Sequence, residues 1–189
     1  MSIETALKPV TAEALMELPE DGIERDIIRG QLREREMTRR NPNHTGVEAK
    51  LSYFIQAWNE TQALPRGRVH SGEAGFRLRR EPETFVGIDV AYVSAEMASR
   101  LDRKLKFYEG PPVLAIEILS PSDQHEDIVE KVEVYLEVGT VVWVVDPDFR
   151  TVSVHRPGRP VELYNDRQEL AGDPELPGFR AAVSRFFDD

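Results

Sequence analysis

The 189-residue sequence contains no cysteine, which excludes disulfides, thiolate zinc sites and cysteine nucleophiles together. It has only four histidines, and none of them stand at the H-x-x-x-H spacing of a zinc hydrolase. No apolar run approaches the roughly 20 residues that a membrane-spanning helix needs. The opening MSIETALKPV has neither the cationic start nor the apolar centre of a signal peptide. These absences lead us to expect a cytoplasmic protein. Phosphate-loop, dinucleotide-binding and nucleophile-elbow motifs are missing, so NTPase, dinucleotide-enzyme and serine-hydrolase readings have no support. There is no internal repeat and no low-complexity segment.

What remains is a globular composition, 40% hydrophobic and 31% charged, of a length that suits one domain. The formal net charge of −10 argues against a protein that binds nucleic acid over its whole surface. The charge is uneven. Residues 1–100 carry 14 Lys+Arg and 16 Asp+Glu, whereas residues 101–189 carry 10 and 18. Arginines gather early, at Arg33, Arg35, Arg39, Arg40, Arg66, Arg68, Arg77, Arg79 and Arg80. They are either an ordinary solvated surface or a local phosphate-facing patch.

Along the chain, Thr11 is placed to cap a short helix with Leu15 and Leu18 inside. RDIIRGQLRER reads as a strand pair bent at Gly30. Val47, Leu51, Phe54, Ile55 and Trp58 recur at helical spacing over about 44–59. Residues 68–80 and TFVGIDVAYVS read as strands joined at Glu81-Pro82-Glu83. A polar excursion covers 95–110. PPVLAIEILS and VVWVVD read as buried central strands, with a helix over about 124–138 between them, ended by Gly139. RTVSVH and VELY follow as a hairpin, and LPGF with RAAVSRFF forms a tail. The two tryptophans fall in core-like runs and read as packing. The expectation is one α/β domain, with an extension over 1–40, a core over 41–150, and a C-terminal hairpin and tail over 151–189.

Two carboxylates interrupt the most apolar strands. Asp89 stands between Ile88 and Val90, and Glu117 between Ile116 and Ile118. Burying an ionised carboxylate costs several kcal/mol unless it is paired or binds a metal. Their same-face neighbours are small: Gly87 and Ala91 beside Asp89, Ala115 beside Glu117. A divalent cation would fill that space, and magnesium needs only one or two protein carboxylates. Pairing with buried arginines is the plainer account. With a tight turn at Pro82, Gly75 falls opposite Asp89, and Glu73 lies diagonal to it on the same face. Lys131 is the only Lys or Arg between Lys106 and Arg150. It stacks with Ile128 and Tyr135 and leans toward the sheet, or else it pairs with Asp127 on the surface. His44 and Glu48 share a helix face, a further site candidate. The plainer role for His44 is at the helix start, beside Asn41 and Asn43.

The series DVAYV, EILSPSD, KVEVYLEVG and VVWVVDP resembles the Uma-two family of restriction-endonuclease-like proteins, within the PD-(D/E)XK nuclease superfamily. DIIRGQL, His44 at a helix start and the late LPGF fit the same layout. The resemblance implies a restriction-endonuclease-like mixed sheet with an αβββαβ core and an added C-terminal hairpin. It makes Asp89 and Glu117 the metal-binding acids, for Mg or Mn, and Lys131 the catalytic lysine. Ile88 replaces the usual proline, Leu119 stands where the superfamily has lysine, and Asp26 where the family commonly has glutamate. The implied activity is metal-dependent endonucleolytic hydrolysis of DNA. Separately, the VSVH strand and the terminal FF segment offer apolar edge surface, which leads us to expect a two-fold homodimer. The alternative is an inactive nuclease-like fold serving as a binding or dimerisation module.

Overall fold

Strands dominate the chain, and each of the two principal helices lays its apolar stripe on the sheet they build. The computed structural model describes residues 10–19, 21–36, 42–101, 106–121 and 123–187. Arg39, Arg40 and Asn41 lie outside these. In chain order the elements begin with α1 (Ala12–Leu15), β1 (Ile23–Ile28), β2 (Gln31–Glu36) and α2 (Pro42–Thr61). Then come β3 (Arg68–Arg80), β4 (Glu83–Val93), α3 (Ala95–Ser99), β5 (Tyr108–Glu109) and β6 (Leu114–Ile118). The chain continues through α4 (His125–Glu137), β7 (Val141–Asp146), β8 (Thr151–His155) and β9 (Glu162–Asn165). It closes with β10 (Glu169–Ala171), β11 (Arg180–Ala182) and a 3-10 turn at Val183–Phe186. This is a mixed α/β fold with one large sheet and few helices.

Nine strands form the main sheet, in the order β2-β1-β4-β6-β7-β8-β9, with β3 also on β4 and β5 on β3. β6 and β7 run parallel and are joined through α4, so each can be apolar on both faces. Val47, Leu51, Ile55 and Trp58 of α2 pack with Ile116, Trp143 and the C-terminal segment in one core cluster. Val132, Val134 and Tyr135 of α4 belong to a second, with Ala91, Ala115 and Val142. Trp143 is fully buried, and Trp58 donates its ring N–H to the Pro177 carbonyl at 3.0 Å, so both tryptophans are packing residues.

Local chemistry explains the boundaries. Arg29 and Gly30 both take positive φ, the conformation of a tight hairpin turn between β1 and β2. Gly139 takes φ 86° after α4, and its N–H donates to the Leu136 carbonyl at 3.1 Å, closing the helix. The Thr11 hydroxyl caps α1 through the Ala14 N–H. That helix is a single turn, so Leu18, expected inside, is exposed.

Two expectations change. Gly75 pairs with Gly87 and not with Asp89; the ladder slips by one residue between Arg77 and Arg79, on the turn side of Gly75. Further along, a bulge between Ser71 and Ala74 sets two residues, Gly72 and Glu73, both at positive φ, against Asp89 alone. The VSVH strand and the terminal phenylalanines, expected to offer apolar surface to a second copy, are covered within the chain. β9 pairs along β8, and Phe186 and Phe187 are buried.

A candidate metal centre in a gap of the sheet

One edge of β4 is not paired along its whole length. β1 meets it at Phe85, and β6 meets it from Val90 to Tyr92. Between those contacts the backbone of Gly87 needs partners, since a buried peptide group without them is costly. Side chains supply them. The Gly87 N–H donates to Asp26 Oδ1 at 3.0 Å, and its carbonyl accepts from Lys131 Nζ at 3.1 Å. Asp26 of β1 and Lys131 of α4 thus stand where a neighbouring strand would.

The remaining candidates converge on this gap. Lys131 is 3% exposed and donates to Glu117 Oε2 at 2.9 Å; Asp26 Oδ2 lies 3.8 Å from the same ammonium. The Tyr135 hydroxyl, one turn along α4, donates to Glu117 Oε1 at 2.6 Å. Asp89 sits just past the last paired residues of β4 and β6. Its Oδ2 accepts the Ile118 N–H at 2.8 Å and lies 3.5 Å from His44 Nε2. His44 Nδ1 is in turn 4.0 Å from Glu48 Oε2. Glu73 reaches in from the bulge. A Cβ on Gly87 would stand 2.4 Å from Glu73 Oε2, so the absence of a side chain at Gly87 is what admits this carboxylate.

Electrostatics separate the lysine from its acid. Burial alone would push the Lys131 ammonium down, but the charges of Glu117, Asp26 and Glu73 outweigh it and hold it above its ordinary value. Burial pushes the Glu117 carboxyl up, and Asp89 pushes it the same way against the opposing pull of Lys131 and Tyr135. The cleft therefore keeps a charged lysine amid an excess of carboxylates.

Donor atoms of His44, Glu48 and Asp89 all lie within 4.8 Å of one another, and two of the three side chains are buried. Two carboxylate oxygens and an imidazole nitrogen fit a divalent cation; the oxygens suit Mg and Mn, and the nitrogen favours Mn of the two. Glu117, expected as a metal ligand, has both oxygens directed at Lys131 and Tyr135. His44, in the first turn of α2, lies against Asp89 in the cleft with Glu48 beside it.

The model of the Uma2 family, described as "Putative restriction endonuclease", matches residues 12–184. The chain belongs to the Uma2 family. A crystal structure of a "putative nuclease belonging to DUF820" from Anabaena variabilis ATCC 29413 is similar in fold. Its TM-score is 0.78 at 20% identity, covering 95% of this chain and 98% of that one. No curated relative matches this chain.

Several arginines of the first eighty residues of this Uma2 protein are engaged with its own acids. Arg33 holds Glu130, Arg29 holds Glu133 and Glu137, and Arg79 lies on Glu137, all on the outer face of α4. Arg77 is buried among Glu13, Glu83 and Glu109. Arg35 differs. It lies 3.5–3.8 Å from Asp123, Glu24 and Asp26, and its side chain keeps 30% exposure at the mouth of the gap. In the sequence Arg35 stood only as one of the early basic cluster and Tyr135 only as a neighbour of Lys131; neither carried a role at the site. The spacing of four between Lys131 and Tyr135 set both on one side of α4, but nothing in the sequence pointed the Tyr135 hydroxyl at Glu117.

Proposed function

We propose that this protein is a metal-dependent endonuclease that hydrolyses phosphodiester bonds in DNA. The observation that carries the reading is the buried Lys131–Glu117 pair, set in a sheet gap beside the His44, Glu48 and Asp89 donors. Those three residues would hold Mg or Mn. A cation bound there supplies Lewis acidity and a bound water of lowered pKa. Glu117, held by Lys131 and Tyr135 with Asp89 nearby, would exchange a proton with that water, a role its raised carboxyl suits. Lys131, kept charged, stabilises negative charge developing on the phosphate. Arg35 is the guanidinium at the mouth of the gap free to trade long carboxylate contacts for a phosphate.

The test is cleavage of plasmid DNA with added Mg or Mn, comparing wild type with Asp89→Asn. Metal-dependent cleavage lost in the variant supports the reading. Wild-type protein that binds metal and DNA without cutting would favour the inactive binding module instead. The homodimer belongs to the same proposal. It would use the β9 edge, where Val161 and Leu163 are 56% and 65% exposed.

A further inference from the structure

A cavity of about 500 Å³ opens beside the cleft, between α4 and the sheet. Its aliphatic walls are Leu119, Ile128, Val129, Val132 and Val144. Leu119 follows Glu117 by two residues, on the same face and about 6.6 Å further along the chain. Val132 is next to Lys131 on α4. Asp123 belongs to both places: it lines the cavity, its Oδ2 accepts the Ser120 N–H at 2.7 Å, and its Oδ1 faces Arg35 at 3.5 Å. The cavity therefore starts where the candidate centre ends.

Its lining says what it would take. Asp123 and Glu133 contribute carboxylates, and among the described residues no lysine or arginine lines it. A phosphate or a fatty-acid carboxylate would be repelled. Uncharged hydrogen-bonding groups come from Ser120 and from β8, where Ser153 Oγ and His155 Nε2 lie 3.0 Å apart, with His125 also on the lining. Burial holds His155 below its ordinary pKa, so its neutral ring offers one donor and one acceptor near pH 7. Aliphatic walls with polar groups of β8 along one side and carboxylates at Asp123 and Glu133 suit an uncharged flat heterocycle, and the volume lies within the roughly 300–1,000 Å³ of small-molecule sites.

We propose that this cavity receives an unstacked nucleobase of the DNA strand whose phosphate is engaged at the neighbouring gap. The inference rests on the nuclease reading above. The base leaves its stack, lies between Leu119, Val132 and Val144, and presents its edge to Ser153 and His155. Its phosphate stays outside, on the Arg35 side of Asp123.

Two measurements decide it. In the first, free 2-aminopurine riboside, an uncharged fluorescent nucleoside, is titrated with the full chain, and decanoate is titrated in parallel. The riboside is expected to bind, with affinity falling roughly tenfold or more in Val129→Phe, which fills the mouth, and in His155→Leu, which removes the edge. Circular dichroism identifies whichever variant fails to fold, leaving the other to decide. Decanoate binding in place of the riboside, or riboside binding that neither variant alters, overturns the assignment. In the second, oligonucleotides with and without a base beside the cleaved bond are compared. Wild type should prefer the intact strand by roughly tenfold, with the ratio collapsing toward one in Val129→Phe. Equal cleavage of both by wild type overturns the cavity's role and leaves the nuclease reading standing. Cleavage of neither sinks the nuclease reading, and the riboside result then decides the cavity alone.

Discussion

At the scale of residues, the cleft sets a lysine and an acid against opposite expectations. Lys131 is buried with Glu117, Asp26 and Glu73 around it. Removing it leaves those carboxylates facing one another, so Lys131→Ala should cost about 3–5 kcal/mol in urea unfolding, the scale of breaking a buried pair. It should also slow cleavage by roughly a hundredfold or more while DNA affinity changes little. Lys131→Arg should not rescue the rate, because a planar fork cannot occupy a site shaped for a compact ammonium. Near-wild-type turnover in Lys131→Ala would remove the lysine from the mechanism. Glu117→Gln should behave differently. One like charge leaves an acid-rich cleft, the amide oxygen still accepts from Lys131, and the metal-free protein should melt about 2–4 °C higher at pH 7. A sharp fall in melting temperature would mean that the pair with Lys131 outweighs the repulsion from Asp89. The sign also appears in pH. The folded state holds the Glu117 proton more tightly than the unfolded chain does. That contribution to stability is therefore present at low pH and declines as pH rises through the window above the ordinary value of 4.5. Metal-free unfolding measured across that window should show the slope in wild type and lose it in Glu117→Gln.

At the scale of elements, β3 and β4 were readable from composition and their register was not. Residues 68–80 form β3 as expected, and the apolar strands and both long helices lie within a few residues of their predicted limits. A bulge leaves no mark in hydrophobic pattern, because Gly72 and Glu73 serve as well in a straight polar strand. Asp89 and Glu117 stood out as acids in apolar runs. Asp26, Arg35 and Tyr135 did not stand out from their own strands and helix; they meet only because β1 and α4 close over β4. The glycines of this region divide by what a methyl group would strike. At Gly87 it meets the flexible end of Glu73, at 2.4 Å. At Gly67 it meets the Val93 carbonyl at 2.2 Å and the Tyr92 ring at 2.6 Å. Gly87→Ala should therefore cost about 1 kcal/mol and displace Glu73, whereas Gly67→Ala should cost about 3 kcal/mol, the upper range of overpacking. Equal losses in denaturant titration would contradict this ranking.

At the scale of the whole molecule, the acidic outer face of α4 is tied to the first hairpin by Arg29 and Arg33, and to β3 by Arg79. The early basic cluster was legible as a charge pattern. Its partner was not, since the acids lie some 100 residues away, as in the Arg29–Glu133 pair. Exposed ion pairs contribute about 0–1 kcal/mol each. Arg29→Ala should accordingly change stability by less than about 1 kcal/mol, and unfolding in high salt should remain close to that in low salt. The assembly is tested by sedimentation velocity. A two-fold dimer that dissociates in Leu163→Lys would place its interface at β9, and a monomer at micromolar concentration would remove it from the proposal.

The gap in the sheet also turns two backbone amides into reporters. The Gly87 and Ile118 N–H groups donate to carboxylates, Asp26 and Asp89, where strand amides ordinarily donate to peptide carbonyls. A carboxylate changes its pull on a hydrogen when it takes a proton or a cation, and a carbonyl in a ladder does not. In a 15N-labelled protein these two resonances should therefore move with pH and with added Mn or Mg while those along β7 stay still. Paramagnetic Mn should broaden Ile118 first, beside the metal-ligand candidate Asp89. The protein would report the occupancy of its own centre with no substrate present.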